Sequence, residues 1–264
     1  MKTILLCNSN YNQIALANKL AEKTNLVGIV VETKNESKKK RSLKLKFEGL
    51  LDRTVFFQIR NSWIRLQNFY QNNYPGFPET SLIYVENINS PKTIKFISKF
   101  EPDLIAVSGT RIIKKEVLNL KPSRGIVNLH TGLSPYIKGG PNCTNWCIAL
   151  NKFDFIGNTV MWINSGIDSG NIITTEQTRL IGNETLSELH IKVMEHAHNL
   201  YLQAIKKIEI APKTVKNIPQ NSIAKGQTYY TRNWNWRNKL RLLRNLRKKQ
   251  KRLDITQDLI TIAI

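Results

Sequence analysis

Acidic residues are scarce in this chain: 19 Asp and Glu stand against 40 Lys and Arg, a formal net charge of +21 over 264 residues. That balance suits phosphate-bearing company, whether nucleic acid, an anionic membrane or a phosphorylated small molecule. A Lys-, Asn- and Ile-rich composition also drifts basic with no partner at all. Cysteine is sparse too, at three, and no secretory pattern stands at Met1–Leu6. This argues against a disulfide framework and points to a reducing cytoplasm. No apolar run is long enough to span a bilayer, and no unit repeats along the chain. The glycine-rich dinucleotide fingerprint is missing after the first strand, so NAD binding is not indicated.

What is present begins with Thr3–Cys7, an all-apolar run of the kind a parallel strand shows when both its faces are covered. A polar break at Asn8–Asn12 leads to helical periodicity over Gln13–Lys23, then to a second buried strand at Leu26–Val31. This β-α-β opening predicts a right-handed crossover and a doubly wound sheet. Lys34–Lys46 is a basic run of the kind that is usually solvated. Helical periodicity resumes over Phe47–Tyr74, so residues 34–80 read as a basic and helical insertion. Ser81–Val85 follows as a strand, Pro91 opens a helix that ends near Phe100, and Asp103–Val107 is another buried strand. Lys114–Leu118 forms a short helix. Thr185–Lys207 is a long helix with a capping-box start at Thr185 and Glu188.

Residues 126–173 carry the chemistry. Alternation puts Asn128 and His130 on one face of a strand, with Leu129 on the other. A turn-rich segment, Thr131–Pro141, and a short helix through Trp146–Leu150 separate them from a second strand, Asn158–Asn164, which runs into Ser165–Gly170. His can donate to a developing oxyanion when charged, and Asn can do so without titrating. An Asp beside them can hold the imidazole or relay a proton. An activated nucleophile is missing, since Ser134 precedes Pro135 in a turn with no elbow around it. The set suits direct attack of an external nucleophile on a carbonyl, through a tetrahedral oxyanion.

The order Asn128-Leu129-His130, Pro135, Gly139, then Asp168-Ser169-Gly170 resembles the motif of the formyltransferases that use 10-formyltetrahydrofolate. These include glycinamide ribonucleotide, methionyl-tRNA and sugar N-formyltransferases. The strand Asp103–Val107 after Pro102 resembles the strand that leads to the folate pocket in that family. The resemblance implies an α/β fold, a doubly wound, mostly parallel Rossmann-like sheet, with the catalytic domain over 1–212 and a basic C-terminal extension over 213–264. It implies 10-formyltetrahydrofolate as co-substrate, no metal, and Asn128, His130 and Asp168 as catalytic residues. It implies a folate pocket lined by Ser108, Gly109, Ile112, Ile163 and Gly166.

Three departures matter. The family's usual Ser two residues after the His is Gly132, for which the hydroxyl of Thr131 is a candidate replacement. The glycine- and serine-rich phosphate loop of the glycinamide ribonucleotide enzymes is absent at Cys7–Asn12. The segment after Pro212 is short and charged for the barrel-like second domain of the methionyl-tRNA enzymes. The expected acceptor is therefore the amine of a nucleotide-linked amino sugar. Glycinamide ribonucleotide, methionyl-tRNA and a non-catalytic nucleic-acid-binding role stand as alternatives. Residues 234–252 form a basic amphipathic segment that suits an anionic membrane or RNA, or a helix docked on the domain itself. A homodimer is a further expectation from the family. Cys143 and Cys147 read as core thiols, and His190, His196 and His198 as exposed helix residues.

Overall fold

The computed structural model describes residues 1–33, 49–164, 168–248 and 261–264. The basic run Lys34–Lys46, Gly166 and the stretch from Lys249 through Leu259 lie outside the described residues.

The first strand, β1 (Lys2–Asn8), shows why its run is apolar throughout. Leu5 and Cys7 face a core shared with α1 (Tyr11–Lys23), while Ile4 and Leu6 face the opposite one. Both faces are covered, so alternation would have left polar groups buried. The same holds for β2 (Asn25–Glu32) and β4 (Leu104–Ser108), with β3 (Ser81–Val85) at the edge beside β2. With β5 (Ile126–His130), β7 (Gly157–Trp162) and β8 (Ile172–Gln177), they form a seven-stranded sheet in the order β3-β2-β1-β4-β5-β7-β8. The pairs from β3 to β5 are parallel, and β7 and β8 join antiparallel. This is the doubly wound α/β sheet that the opening β-α-β unit predicts.

Helices cover both faces. The insertion contributes α2 (Phe57–Asn73), which buries Leu66 and Tyr70 over α1. On the other face lie α3 (Pro91–Phe100), capped by Ser90 with Pro91 in its first turn, and α4 (Lys115–Leu118). α5 (Cys143–Ala149) follows the site loop. α6 (Leu186–Ile210) opens on the expected capping box, with Thr185 Oγ1 accepting from the Glu188 N–H and Glu188 Oε2 from the Thr185 N–H. Its Tyr201 is fully buried, and the hydroxyl accepts from the Val107 N–H at 2.8 Å and donates to the Val127 carbonyl at 2.9 Å, bridging β4 and β5. Among the described residues, no helix is long and apolar enough to cross a membrane.

Several expectations change. His190 and His198 are buried, not exposed, because α6 is covered by α1, α2 and α5 as well as by the sheet. The turn-rich segment contains a short strand, β6 (Ile137–Gly139), which pairs with β9 (Gln227–Tyr229) from the C-terminal segment. α7 (Trp236–Arg247) buries Leu242 against α5 with Leu243 and Leu246 partly covered beside it, while Leu240, Arg237, Arg241, Arg244 and Arg247 are exposed. Ile262, in the apolar end, exchanges backbone hydrogen bonds with Thr175 of β8.

Candidate active site

The carboxyl ends of β1, β4 and β5 open into a cleft of about 690 Å³, the place where open α/β sheets bind ligands. β5 delivers Asn128 and His130 to it from one face, while Leu129 points into the core below. Among the described residues no group hydrogen-bonds the Asn128 side chain, which leaves its amide to the cleft. The loop after His130 is pinned from behind. Thr159 Oγ1 of β7 donates to the Gly132 carbonyl at 2.8 Å and accepts from the Ser134 N–H at 2.9 Å.

Asp168 arrives from the loop between β7 and β8, in a left-handed conformation with φ 45°. Its Oδ2 lies 3.5 Å from His130 Nδ1 and accepts from the Gly139 N–H at 3.1 Å. Gln220, from the C-terminal segment, donates to the carbonyls of Asp168 and Gly170, each at 2.8 Å. Gly170 packs so closely on the Trp162 backbone that a Cβ there would overlap the carbonyl. That contact is the physical reason for glycine in the Asp-Ser-Gly pattern.

Ser108 ends β4, and Gly109 follows at φ +70°, where a Cβ would lie 2.9 Å from Asn8 Nδ2. The loop that continues to Ile113 is held by buried Glu32, which accepts from the Ile88 N–H at 3.0 Å and the Arg111 N–H at 2.8 Å. Ile112, half exposed, and Ile163 line the cleft with Ser108 and Gly109. The structure thus brings Asn128, His130, Asp168, Ser108, Gly109, Ile112 and Ile163 to one cavity, and Gly166 is outside the described residues.

Other residues reach this cavity unannounced by sequence patterning. Cys143, expected in the core, is buried, yet its Sγ lies 3.6 Å from His130 Nε2 and donates to the Gly139 carbonyl at 3.4 Å. Burial, and then the charge of Asp168, push this thiol up, so it stays protonated. Trp63 comes from the insertion helix, and Tyr229, Tyr230 and Thr231 come from the C-terminal segment. Trp146 is buried and stacks on Tyr229 at 4.7 Å between ring centres, which fixes that segment beside Gly139. Adjacent tyrosines just after Gly226 were the one available signal. Among the described residues no three His, Cys, Asp or Glu side chains gather as a metal-ligand set.

Known proteins share this architecture. A sugar N-formyltransferase from Shewanella sp matches with a TM-score of 0.57 at 17% identity, over 93% of this chain and 88% of that one. The phosphoribosylglycinamide formyltransferase of Bacillus halodurans matches with a TM-score of 0.55 at 16% identity, over 80% of this chain and 97% of its own. At these identities the likeness is one of fold. In sequence, the methionyl-tRNA formyltransferase of Clostridium tetani is 36% identical over 115 residues, 43% of this chain and 36% of that protein. That of Methylacidiphilum infernorum is 33% identical over 140 residues, 52% of this chain and 42% of its own. The chain thus spans about two fifths of the length of the curated relatives it matches. The sequence signature of the formyl transferases covers residues 65–205, more than half of the chain, and the chain belongs to that family.

Proposed function

We propose that the chain is an N-formyltransferase that moves a formyl group from 10-formyltetrahydrofolate to the primary amine of a nucleotide-linked amino sugar. The observation that carries this reading is the convergence of Asn128, His130 and Asp168 on one cleft, in which no activated nucleophile stands among the described residues. The nearest thiol, Cys143, is kept protonated, so the attacking group comes from the substrate. Asn128 and His130 donate to the oxygen that gains charge as the amine adds to the formyl carbon. Asp168, beside His130 Nδ1, orients the ring and receives the proton the amine must lose, and the intermediate collapses by breaking the bond between the formyl carbon and the folate nitrogen, which takes up that proton as it leaves.

The cleft fits the donor. Val107, Ile112, Met161 and Ile163 give it apolar walls for a flat ring system, and the loops at Ser108–Ile113 and Ile163–Asn164 present backbone groups beside them. The folate supplies only the activated formyl group, and the chain's residues supply the charge stabilisation and proton transfer.

The acceptor is argued from the opposite wall. Trp63, Tyr229 and Tyr230 place aromatic faces at the cleft, which suit stacking of a nucleobase. Exposed Arg111, at the same cleft, suits a phosphate. A second reading, methionyl-tRNA as acceptor, is favoured by the sequence likeness to methionyl-tRNA formyltransferases and by the four outward arginines of α7. Purified protein offered the donor with a panel of nucleotide-linked amino sugars, glycinamide ribonucleotide and charged initiator tRNA separates them. Tetrahydrofolate release with an amino sugar supports the reading. Release with tRNA alone moves the assignment, and no release with any amine, together with no folate binding, overturns it.

A further inference from the structure

Gly132 and Cys143 are two halves of one feature. A Cβ built on Gly132 would fall within contact of His130 Nε2 and 2.9 Å from Cys143 Sγ. The space that a side chain at 132 would occupy is therefore already filled, by the edge of the imidazole and by a sulfur that arrives from the first turn of α5. The serine that the family resemblance implies at 132 is a glycine here. The space beside His130 is occupied by a thiol from another element.

The contacts around this thiol close into a circuit. Asp168 Oδ2 faces His130 Nδ1 at 3.5 Å, His130 Nε2 faces Cys143 Sγ at 3.6 Å, Cys143 donates to the Gly139 carbonyl at 3.4 Å, and the Gly139 N–H donates back to Asp168 Oδ2 at 3.1 Å. Each edge of the imidazole faces a member of this ring of four residues, so its tilt is set from both sides while the weak contact to sulfur leaves the Nε2 edge able to turn to the developing oxyanion. Asn142 caps α5 by accepting from the Asn145 N–H at 3.0 Å, and Asn245 ties down the far end of the helix. The helix that carries the sulfur is thus fixed at both ends.

We propose that Cys143 is a positioning residue that seats the Nε2 edge of His130 and thereby aims its Nδ1 edge at Asp168 and the cleft, with Gly132 as the vacancy that makes this seat possible. The proposal rests on the formyl-transfer reading for its kinetic consequence, not for its geometry. A weak, soft contact suffices here, because displacement of a catalytic group by a fraction of an ångström costs more in rate than the contact is worth in stability.

Four variants test it: Cys143→Ala, Cys143→Ser, Gly132→Ser, and Gly132→Ser combined with Cys143→Ala. Cys143→Ala should lower kcat about tenfold with the donor KM within about twofold, while Cys143→Ser, which keeps a donor and acceptor, should stay near wild type. Gly132→Ser should be impaired by collision with His130 and Cys143, and removal of the sulfur in the double variant should restore part of that loss. Equal kcat for Cys143→Ala and Cys143→Ser, or strictly multiplicative losses in the double variant, would overturn the proposal. A second readout is independent of activity: the 15N resonances of the His130 ring should shift at Nε2 in Cys143→Ala and far less in Cys143→Ser. A wild-type protein that transfers no formyl group yet shows this shift would sink the functional reading and leave the seat standing. An Nε2 resonance unchanged by Cys143→Ala would sink the seat.

Discussion

The Asn245 side-chain amide of α7 donates to the Ile148 carbonyl at 3.0 Å and to the Ala149 carbonyl at 3.1 Å, closing the C-terminal end of the helix whose first residue is Cys143. Helix ends leave carbonyls without intrahelical partners, and here they are met by a side chain almost a hundred residues away. The Ile148 carbonyl keeps the Asn151 N–H at 3.0 Å, so Asn245→Ala removes the contact to Ala149 and the second one to Ile148, and should cost about 1 kcal/mol. Urea denaturation with the midpoint and slope compared to wild type checks it. A loss under a few tenths of a kcal/mol would show that α7 merely rests on α5.

Asp168 combines a proposed role in proton transfer with a left-handed backbone, and the two can be separated. Asn tolerates that conformation and Ala does not, a difference of roughly 1–2 kcal/mol. Both Asp168→Asn and Asp168→Ala should lose at least about a hundredfold in kcat, because neither can accept the amine proton. Only Asp168→Ala should also melt lower. Equal melting temperatures for the two would contradict the backbone argument, and retained turnover in Asp168→Asn would contradict the proton argument.

Tyr201 sits under the site, its hydroxyl shared between β4 and β5. Burial pushes that hydroxyl well above the ordinary phenol range, so it acts as a neutral bridge. Tyr201→Phe keeps the ring and orphans the Val107 N–H, for an expected loss of about 1–3 kcal/mol. Faster amide exchange at Val107 is the local signature to look for. Exchange there at the wild-type rate would show the bridge to be dispensable.

His190 and His198 predict an acid limit. Burial holds His190 down at about 4, and burial followed by the Lys19 charge holds His198 at about 3, against 6.5 for a free ring. The folded protein keeps both rings neutral, while the unfolded chain takes up protons as the pH falls below 6.5. Their contribution is complete above pH 6.5 and is lost toward pH 4 and pH 3, at up to about 1.4 kcal/mol per pH unit for each ring. Replacement by His198→Phe should therefore remove about 2 kcal/mol of the stability lost between pH 7 and pH 5. Parallel pH curves for the variant and wild type would refute this.

Much of the fold was legible because buried parallel strands must be apolar on both faces, as in Thr3–Cys7 and Asp103–Val107. Ser81–Val85 and the helix opened by Pro91 were legible because turn residues bracket them. β6 and β9 were not, since three residues carry no period and their partner lies about ninety positions away. The burial of His190 and His198 was hidden for a related reason: α6 is covered on several sides, and one sequence shows only that a helix exists. In the site, Asn128, His130 and Asp168 announce themselves by type and order. Cys143 does not, because a buried cysteine on a helix looks like any core residue until Gly132 is seen to leave room for it.

The central claim is that His130 stabilises the charge that develops when an amine attacks a formyl group in this cleft. Single-turnover transfer from 10-formyltetrahydrofolate to an accepted amine, wild type against His130→Ala at equal folate occupancy, tests it most directly. The account predicts a rate at least about a thousandfold lower in the variant, with folate binding retained. Equal rates for the two proteins would contradict it.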